Sequence, residues 1–251
     1  MDIEIYIFVA ITGFVAAFID AAAGGGGMIS LPALMLTGMP PLQALGTNKM
    51  AAVMGACTSF ITFVRSGKMD VPLIKKLFPL SLIGSVLGVI AVQHIPSEFL
   101  RPLIVVLLIV VVLYSILKKD WDKDSKPEKL TGRMLALSML AALAMGFYDG
   151  FFGPGTGSLL LFIFLMLGFD FISSTANTKA LNFASNVSAT VFFGLSGMIN
   201  FELGIFMGVM MIFGAYCGAR FAITKGVTYV RPLFIVVTTI LIGKQLLAIL
   251  G

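Results

Sequence analysis

Charged residues are scarce in this chain. Only 12% of its 251 residues are Asp, Glu, Lys or Arg, whereas a soluble domain carries about 25%. Together with a mean hydropathy of +1.04, this excludes a soluble domain with a hydrated surface. The net charge of +5 lies near the ends of apolar runs, which is typical of topology signals in membrane proteins, so we predict no nucleic-acid partner.

Histidine and cysteine are also rare, which limits the available chemistry. His94 is the one histidine, and Cys57 and Cys217 each lie inside an apolar segment. A metal site usually needs three or four close ligands, so we predict no metal site. We also predict no cofactor and no enzymatic activity. No P-loop motif is present, so direct use of ATP is not expected.

Long apolar runs dominate the chain, and each half contains five. Their approximate bounds are 4–22, 28–37, 43–64, 72–92 and 98–117, then 133–150, 157–168, 173–195, 202–222 and 229–249. The second run of each half is too short to cross a hydrocarbon core of about 30 Å at 1.5 Å per residue. We therefore predict an all-α integral membrane protein with about eight full transmembrane helices and two short broken or re-entrant helices.

The two halves form an internal repeat. The matching positions at an offset of 130 are Gly46-Thr47-Asn48-Lys49 with Ala176-Asn177-Thr178-Lys179, Gly84 and Gly88 with Gly214 and Gly218, and Arg101-Pro102 with Arg231-Pro232. Asp20 and Gly24 correspond to Asp149 and Gly153 at an offset of 129. A constant offset over this length predicts a duplication, with repeats at 1–117 and 133–251 joined by a charged linker at 118–132.

The positive charges indicate how the two repeats are oriented. The linker with Arg133 has six Lys or Arg, the 64–76 loop has four and the 220–231 loop has three, while 93–101 has one and 196–203 has none. An inverted arrangement places the three basic segments together in the cytoplasm, whereas a parallel arrangement leaves no bias. We predict an inverted repeat with both termini outside and the linker cytoplasmic. Inverted repeats are a recurrent plan of secondary transporters.

Glycine-rich breaks precede both short segments. The first break ends in Gly25, Gly26 and Gly27, and the second contains Gly155, Thr156, Gly157 and Ser158. Glycines allow close approach to the backbone, and a helix start presents amide donors with a positive dipole end. Paired breaks at equivalent positions therefore predict an anion site, with Ser158 adding a hydroxyl donor. Helix packing alone is the alternative explanation.

A lysine motif opens the third segment of each half. Thr47, Asn48 and Lys49 correspond to Asn177, Thr178 and Lys179, and we expect the Thr and Asn residues to act as helix caps. A lysine within an apolar helix is costly and is a functional hypothesis by default, because its ammonium can neutralise a substrate anion. The alternative is that each lysine extends to the headgroups.

Three further polar residues lie near these motifs. Asp20 and Asp149 precede the two breaks, where they either carry a coupled proton or form ion pairs with the lysines. Asn182 lies one turn after Lys179, where it either lines the path or forms a hydrogen bond between helices. Its counterpart in the first half is Ala52, so the predicted site is asymmetric.

The break from Asp20 to Gly27, the motif Gly46-Thr47-Asn48-Lys49 and their copies at Asp149 to Gly157 and Asn177 to Lys179 resemble the TauE/SafE, or sulfite exporter, family of membrane transporters. The resemblance covers nearly the whole chain. It implies movement of sulfite, organosulfonates and related small sulfur-containing anions across the cytoplasmic membrane, usually outward.

We therefore predict a secondary transporter, acting as an exporter by alternating access, in the inner (cytoplasmic) membrane. Its expected partners are the lipid bilayer and a small anion such as sulfite, thiosulfate, sulfate or an organosulfonate. Two alternatives stay open, namely an anion channel and a membrane subunit of a larger transport complex. The sequence also leaves open a homodimer and the identity of the coupling ion.

Overall fold

The computed structural model of this chain describes residues 3–96, 98–100, 102–104, 106, 109 and 131–225, and the regular secondary structure of these residues is all helical. In chain order the bounded helices are α1 (Ile3–Ala23), α2 (Gly27–Leu36), α3 (Pro41–Arg65), α4 (Val71–Gln93), α5 (Gly132–Phe151), α6 (Thr156–Met166), α7 (Phe171–Leu195) and α8 (Phe201–Lys225). The segment predicted at 229–249, most of the one at 98–117 and nearly all of the linker fall outside the described residues.

Within the part of the chain that the structure describes, four helices, α1, α4, α5 and α8, are long and apolar enough to cross a membrane. Their outward faces carry large apolar side chains, such as Ile3, Ile83, Leu140 and Phe213, that are more than half exposed. Apolar surface of this extent is stable only against lipid or a partner protein. The chain is therefore an all-helical membrane protein, in agreement with the predicted fold class.

Helices pair across the two halves of the chain. α1 packs along α8, and α4 packs along α5. Glycines make these contacts close, because a Cβ added to Gly88 would lie 2.1 Å from Phe147 O, and one added to Gly218 would lie 2.1 Å from Phe18 O. Small residues that let helix backbones touch are the usual basis of helix association in lipid.

The two polar helices, α3 and α7, lie against each other in the interior and run in opposite directions. A Cβ on Gly46, early in α3, would lie 2.1 Å from Met198 O, just beyond the end of α7. Phe60, late in α3, stacks on Phe183 with ring centroids 5.3 Å apart. A residue early in α3 thus contacts the end of α7, and a residue late in α3 contacts the middle of α7, so the two helices are antiparallel.

The expected caps at the third segments are wrong in one respect. Thr47 lies well inside α3, which begins at Pro41, and Asn177 lies well inside α7, whose cap is Asp170. Each instead serves the other half, since Asn200 N donates to Thr47 Oγ1 at 2.9 Å and Asp70 N donates to Asn177 Oδ1 at 3.0 Å. Both the acceptor positions and the donor positions differ by 130, so the repeat relates the two hydrogen bonds.

The close glycine contacts predict a stability effect. Gly88→Ala should destabilise the protein by roughly 1–3 kcal/mol, because the added methyl group meets the backbone of α5. Gly194→Ala is the matched control, since its Cβ would meet only Ile199 Cδ1, at 3.7 Å. The thermal unfolding midpoint in detergent micelles measures both, and equal midpoints for the two variants would contradict the packing described here.

Candidate functional site

The two glycine breaks meet at the junction of the halves. A Cβ on Gly24 would lie 2.3 Å from Gly157 C, and one on Gly27 would lie 3.1 Å from Pro154 Cα. Gly24 and Gly153 have φ angles of 79° and 96°, which favour glycine. Two sequence segments about 130 residues apart thus come into backbone contact at one point.

A pair of ion pairs crosses the same junction. Lys49 Nζ lies 2.8 Å from Asp149 Oδ1, and Lys179 Nζ lies 2.9 Å from Asp20 Oδ2. Each pair joins a lysine of one half to the acid that precedes the glycine break of the other half. Because removing one partner of a buried pair strands an uncompensated charge, at a cost of about 3–5 kcal/mol, these contacts tie the halves together.

The lysines are enclosed rather than extended to a membrane surface. Lys49 is 2% exposed and Lys179 is 0% exposed. Gly153 makes room for the first ammonium, since a Cβ there would lie 2.5 Å from Lys49 Nζ. The headgroup-reaching alternative considered for both lysines is therefore wrong.

The two acids have different surroundings. Asp149 accepts from Lys49 through one oxygen, and from Ser185 Oγ and Asn186 Nδ2 through the other. Asp20 accepts from Lys179 and from the Gly26 amide at 3.1 Å, and Lys179 Nζ also donates to its backbone carbonyl. The Asp149 side chain is 4% exposed, whereas that of Asp20 is 27% exposed.

A cavity of about 50 Å³, which we call the central cavity, lies between the breaks. From the first half, the predicted site residues that line it are Asp20, Gly25, Gly26, Gly27, Asn48 and Lys49. From the second half they are Asp149, Gly155, Gly157 and Asn182. One water needs roughly 10–15 Å³ of such space, so the cavity can hold several waters or a solute of a few heavy atoms.

Two amide side chains in the central cavity lack partners. Asn48 Oδ1 and Asn182 Oδ1 are buried and make no hydrogen bond within the described structure. Leaving a buried polar atom unsatisfied costs about 1–3 kcal/mol, so such atoms are rarely retained without a use. An amide can turn either its oxygen or its NH₂ group towards a bound solute.

Several predicted site residues do not line the central cavity. Thr47 and Asn177 act as caps, and Lys179 lies behind Asp20. Thr156 donates to Gly153 O at 2.7 Å, while Thr178 and Ser158 are buried elsewhere. These residues shape the junction, but in this conformation they do not face the cavity.

The helix starts are less open than expected. The Gly26 amide is taken by the Asp20 side chain, and the amides of Met28 and Ile29 donate to Gly25 O and Gly26 O. In the second break, the Thr156 amide donates to Gly153 O. Some backbone amides at the helix starts are therefore already hydrogen-bonded within tight turns. The polarity of the cavity comes chiefly from side chains.

Other lining residues carry no signal that sequence patterns could reveal. Ala16, Ala17, Ala52, Gly55, Ala56 and Met211 line one side of the cavity, and their small or apolar side chains are ordinary helix-packing residues. Ser185 was not predicted, because a serine within an apolar helix has many structural uses. The one hint was its position one turn from Asn182 and next to Asn186.

The chain is similar to several curated membrane proteins. It is 38% identical to "Probable membrane transporter protein ORF9" of Sinorhizobium sp, over 96% of this chain and 92% of that protein. It is 37% identical to a "Probable membrane transporter protein" of Haemophilus influenzae, over 98% and 96%. It is 35% identical to "Probable membrane transporter protein YfcA" of Escherichia coli K12, over 92% and 86%.

A family model agrees with these relatives. The model described as "Sulfite exporter TauE/SafE" matches residues 9–244. No solved structure matches the chain. On the strength of the family match and of relatives aligned over most of both chains, this protein belongs to the sulfite exporter TauE/SafE family of membrane transporters.

Proposed function

We propose that this protein is a secondary carrier that exports a small sulfur oxyanion or sulfonate through the central cavity by alternating access. The observation that carries the proposal is the convergence of a buried lysine and two unpartnered amides on one cavity between the halves. Lys49 donates one hydrogen bond, to Asp149, among the described residues, and an ammonium has three donors. The remaining donors can turn to a bound anion.

The chemistry of the cavity suits a compact polar anion. An oxyanion accepts several hydrogen bonds at once, and Lys49 with the amides of Asn48 and Asn182 can supply them from different sides. The positive dipole ends of α2 and α6 add a favourable potential for negative charge. The sulfur oxyanion class and the outward direction are supported by the family to which the chain belongs.

An inverted arrangement of the repeats is part of the proposal. It is supported by the antiparallel contact of α3 and α7 and by the distribution of basic residues. In this arrangement residues 1–117 and 133–251 span the inner membrane with both termini outside, and the linker 118–132 is cytoplasmic.

Alternating access is supported by the uneven shape of the cavity. The cavity follows α3 from Asn48 to Ser59, together with Ala16 and Ala17 of α1. At the repeat-related positions of the second half, Ser185 and Asn186 are engaged with Asp149. If the halves exchanged conformations, the cavity would extend towards the opposite membrane face, as in other carriers with inverted repeats.

The substrate class is tested by calorimetric titration of the purified protein with sulfite, sulfate, thiosulfate and methanesulfonate, using chloride as the control. Saturable binding of at least one sulfur anion supports the proposal, and binding of none overturns it. Counterflow in liposomes then separates a carrier from a channel, since a channel does not show accelerated exchange driven by anion on the far side.

Replacing either unpartnered amide should weaken anion binding without lowering the stability of the protein. Asn48→Ala and Asn182→Ala should weaken binding of the anion about ten- to hundredfold, because each removes a hydrogen bond to a charged group. Their unfolding midpoints should stay at or above the wild-type value, since no intramolecular hydrogen bond is lost. Thr190→Val is the control, because Thr190 Oγ1 is also unpartnered but lies outside the cavity. Unchanged affinity in both asparagine variants would remove these amides from the site.

The inverted arrangement predicts the sidedness of two repeat-related positions. In a chain with Cys57 and Cys217 replaced by alanine, Ser66→Cys should react with a membrane-impermeant maleimide from the cytoplasmic side, and Ser196→Cys from the outer side. Labelling of intact spheroplasts and of inverted vesicles provides the comparison. Reaction of both cysteines from the same side would establish parallel repeats instead.

A further inference from the structure

We propose that Asp20 is the site at which this carrier binds its coupling proton, whereas Asp149 keeps its ion pair with Lys49 throughout the cycle. This inference rests on the proposed carrier function and adds the coupling ion and its residue. It follows from the different surroundings of two acids that the repeat makes equivalent.

The hydrogen-bond partners of the two carboxylates differ in number and kind. Asp149 has three side-chain donors, from Lys49, Ser185 and Asn186. Asp20 has one side-chain donor, Lys179, together with the Gly26 amide. Hydrogen-bond donors stabilise the ionised carboxylate. The acid with fewer donors therefore loses less of this stabilisation when it is protonated.

The difference arises from two substitutions between the repeats. Ser185 and Asn186, which hold Asp149, correspond to Gly55 and Ala56 in the first half at an offset of 130. Gly55 and Ala56 both line the central cavity and offer no side-chain donor. The cage around one acid is therefore absent around the other, and open space takes its place.

Asp20 is also more accessible to solvent than Asp149, as a site that takes up a proton from solvent must be. Both acids line the central cavity, but the Asp20 side chain is 27% exposed and that of Asp149 is 4% exposed. The charged groups that face Asp20 are Lys179 of α7 and, across the cavity, Lys49 of α3 and Asp149 of α5. The cavity-lining residues of α2, α6 and α8 include no titratable side chain among those described.

Protonation of Asp20 changes the charge of the site by one. With both acids ionised, two lysines and two carboxylates sum to zero. A proton from solvent that binds the Asp20 carboxylate leaves Lys179 with its three protons and no charged partner, so the site carries one positive charge. A monovalent anion then restores neutrality, which makes proton binding and anion binding mutually favourable. The proton and the anion therefore cross in the same direction, and the anion's own outward gradient drives their export.

The proton site can be observed in the absence of any anion. Infrared difference spectra of the reconstituted protein should show a protonated-carboxyl band that appears on acidification. Asp20→Asn should remove this band, and Asp20→Glu should retain it at a shifted position. A band that persists in Asp20→Asn would overturn the assignment.

Coupling is tested by the pH dependence of binding of thiosulfate, or of methanesulfonate if thiosulfate does not bind. Wild-type affinity should fall by up to about tenfold per pH unit as pH rises, because one proton is taken up with each anion. In Asp20→Asn the affinity should be independent of pH and close to the wild-type value at acid pH. A wild-type slope in this variant would exclude Asp20 as the proton site.

A graft between the repeats gives a second test if Asp20→Asn does not fold. Ala56→Asn places beside Asp20 the amide that Asn186 provides to Asp149, so the carboxyl band and the pH dependence of binding should both shift to lower pH. Ala56→Leu is the matched control, because leucine has a similar size to asparagine but no donor, and it should not shift either profile to lower pH. Unshifted profiles in Ala56→Asn, or an equal shift in Ala56→Leu, would overturn the inference.

The two proposals fail in different ways. Binding of a sulfur anion without any effect of pH would leave the carrier function standing and exclude Asp20 as a proton site. A carboxyl band that depends on Asp20, in a protein that binds none of the tested anions, would keep the proton site and overturn the substrate class.

Discussion

Two ion pairs exchanged between the halves, one buried and one partly buried, are the constraint on which the rest of this structure depends. Each lysine lies in the third helix of its own repeat and meets the acid at the break of the other repeat. A charge in the apolar interior is tolerated only with a partner, so the two breaks must approach the opposite helices closely. Glycines at those breaks permit the approach, since larger side chains would collide with the facing backbone.

The two halves share their framework contacts but differ in the residues that line the cavity. The ion pairs and the paired caps from Thr47 and Asn177 follow the repeat closely. The residues around the central cavity do not, because Ala52 corresponds to Asn182 and Ala56 to Asn186. The framework has therefore kept its symmetry while the cavity lining has diverged.

Much of this architecture is readable from the sequence, for a clear physical reason. Apolar length marks a membrane helix, and the eight predicted segments that can be compared agree with the bounded helices to within three residues at each end. The glycine breaks, the two lysines and the two acids were identified because polar or flexible residues are costly in a lipid-facing helix. All six contribute to one junction of the structure.

The remaining features depend on packing between distant segments, which local patterns do not encode. Nothing near Thr47 indicates that its hydroxyl accepts from Asn200, 153 residues later. Which acid lacks side-chain donors from its own half is likewise decided by Gly55 and Ala56 on a different helix. The apolar wall of the cavity consists of alanines and glycines that look the same as those of any close helix contact.

The reciprocal caps have a consequence for how such a chain can arise. α4 begins beside Asn177 of the other repeat, and α8 begins beside Thr47, so the backbone amides of Asp70 and Asn200 at these helix starts are bonded by the other unit. In the proposed inverted arrangement, an unfused ancestor with these residues would satisfy both amides as a two-fold symmetric pair, with its two copies inserted into the bilayer in opposite senses. Joining them in one polypeptide replaces a chance encounter between subunits by a fixed, high local concentration of the partner, and it frees each copy to mutate separately.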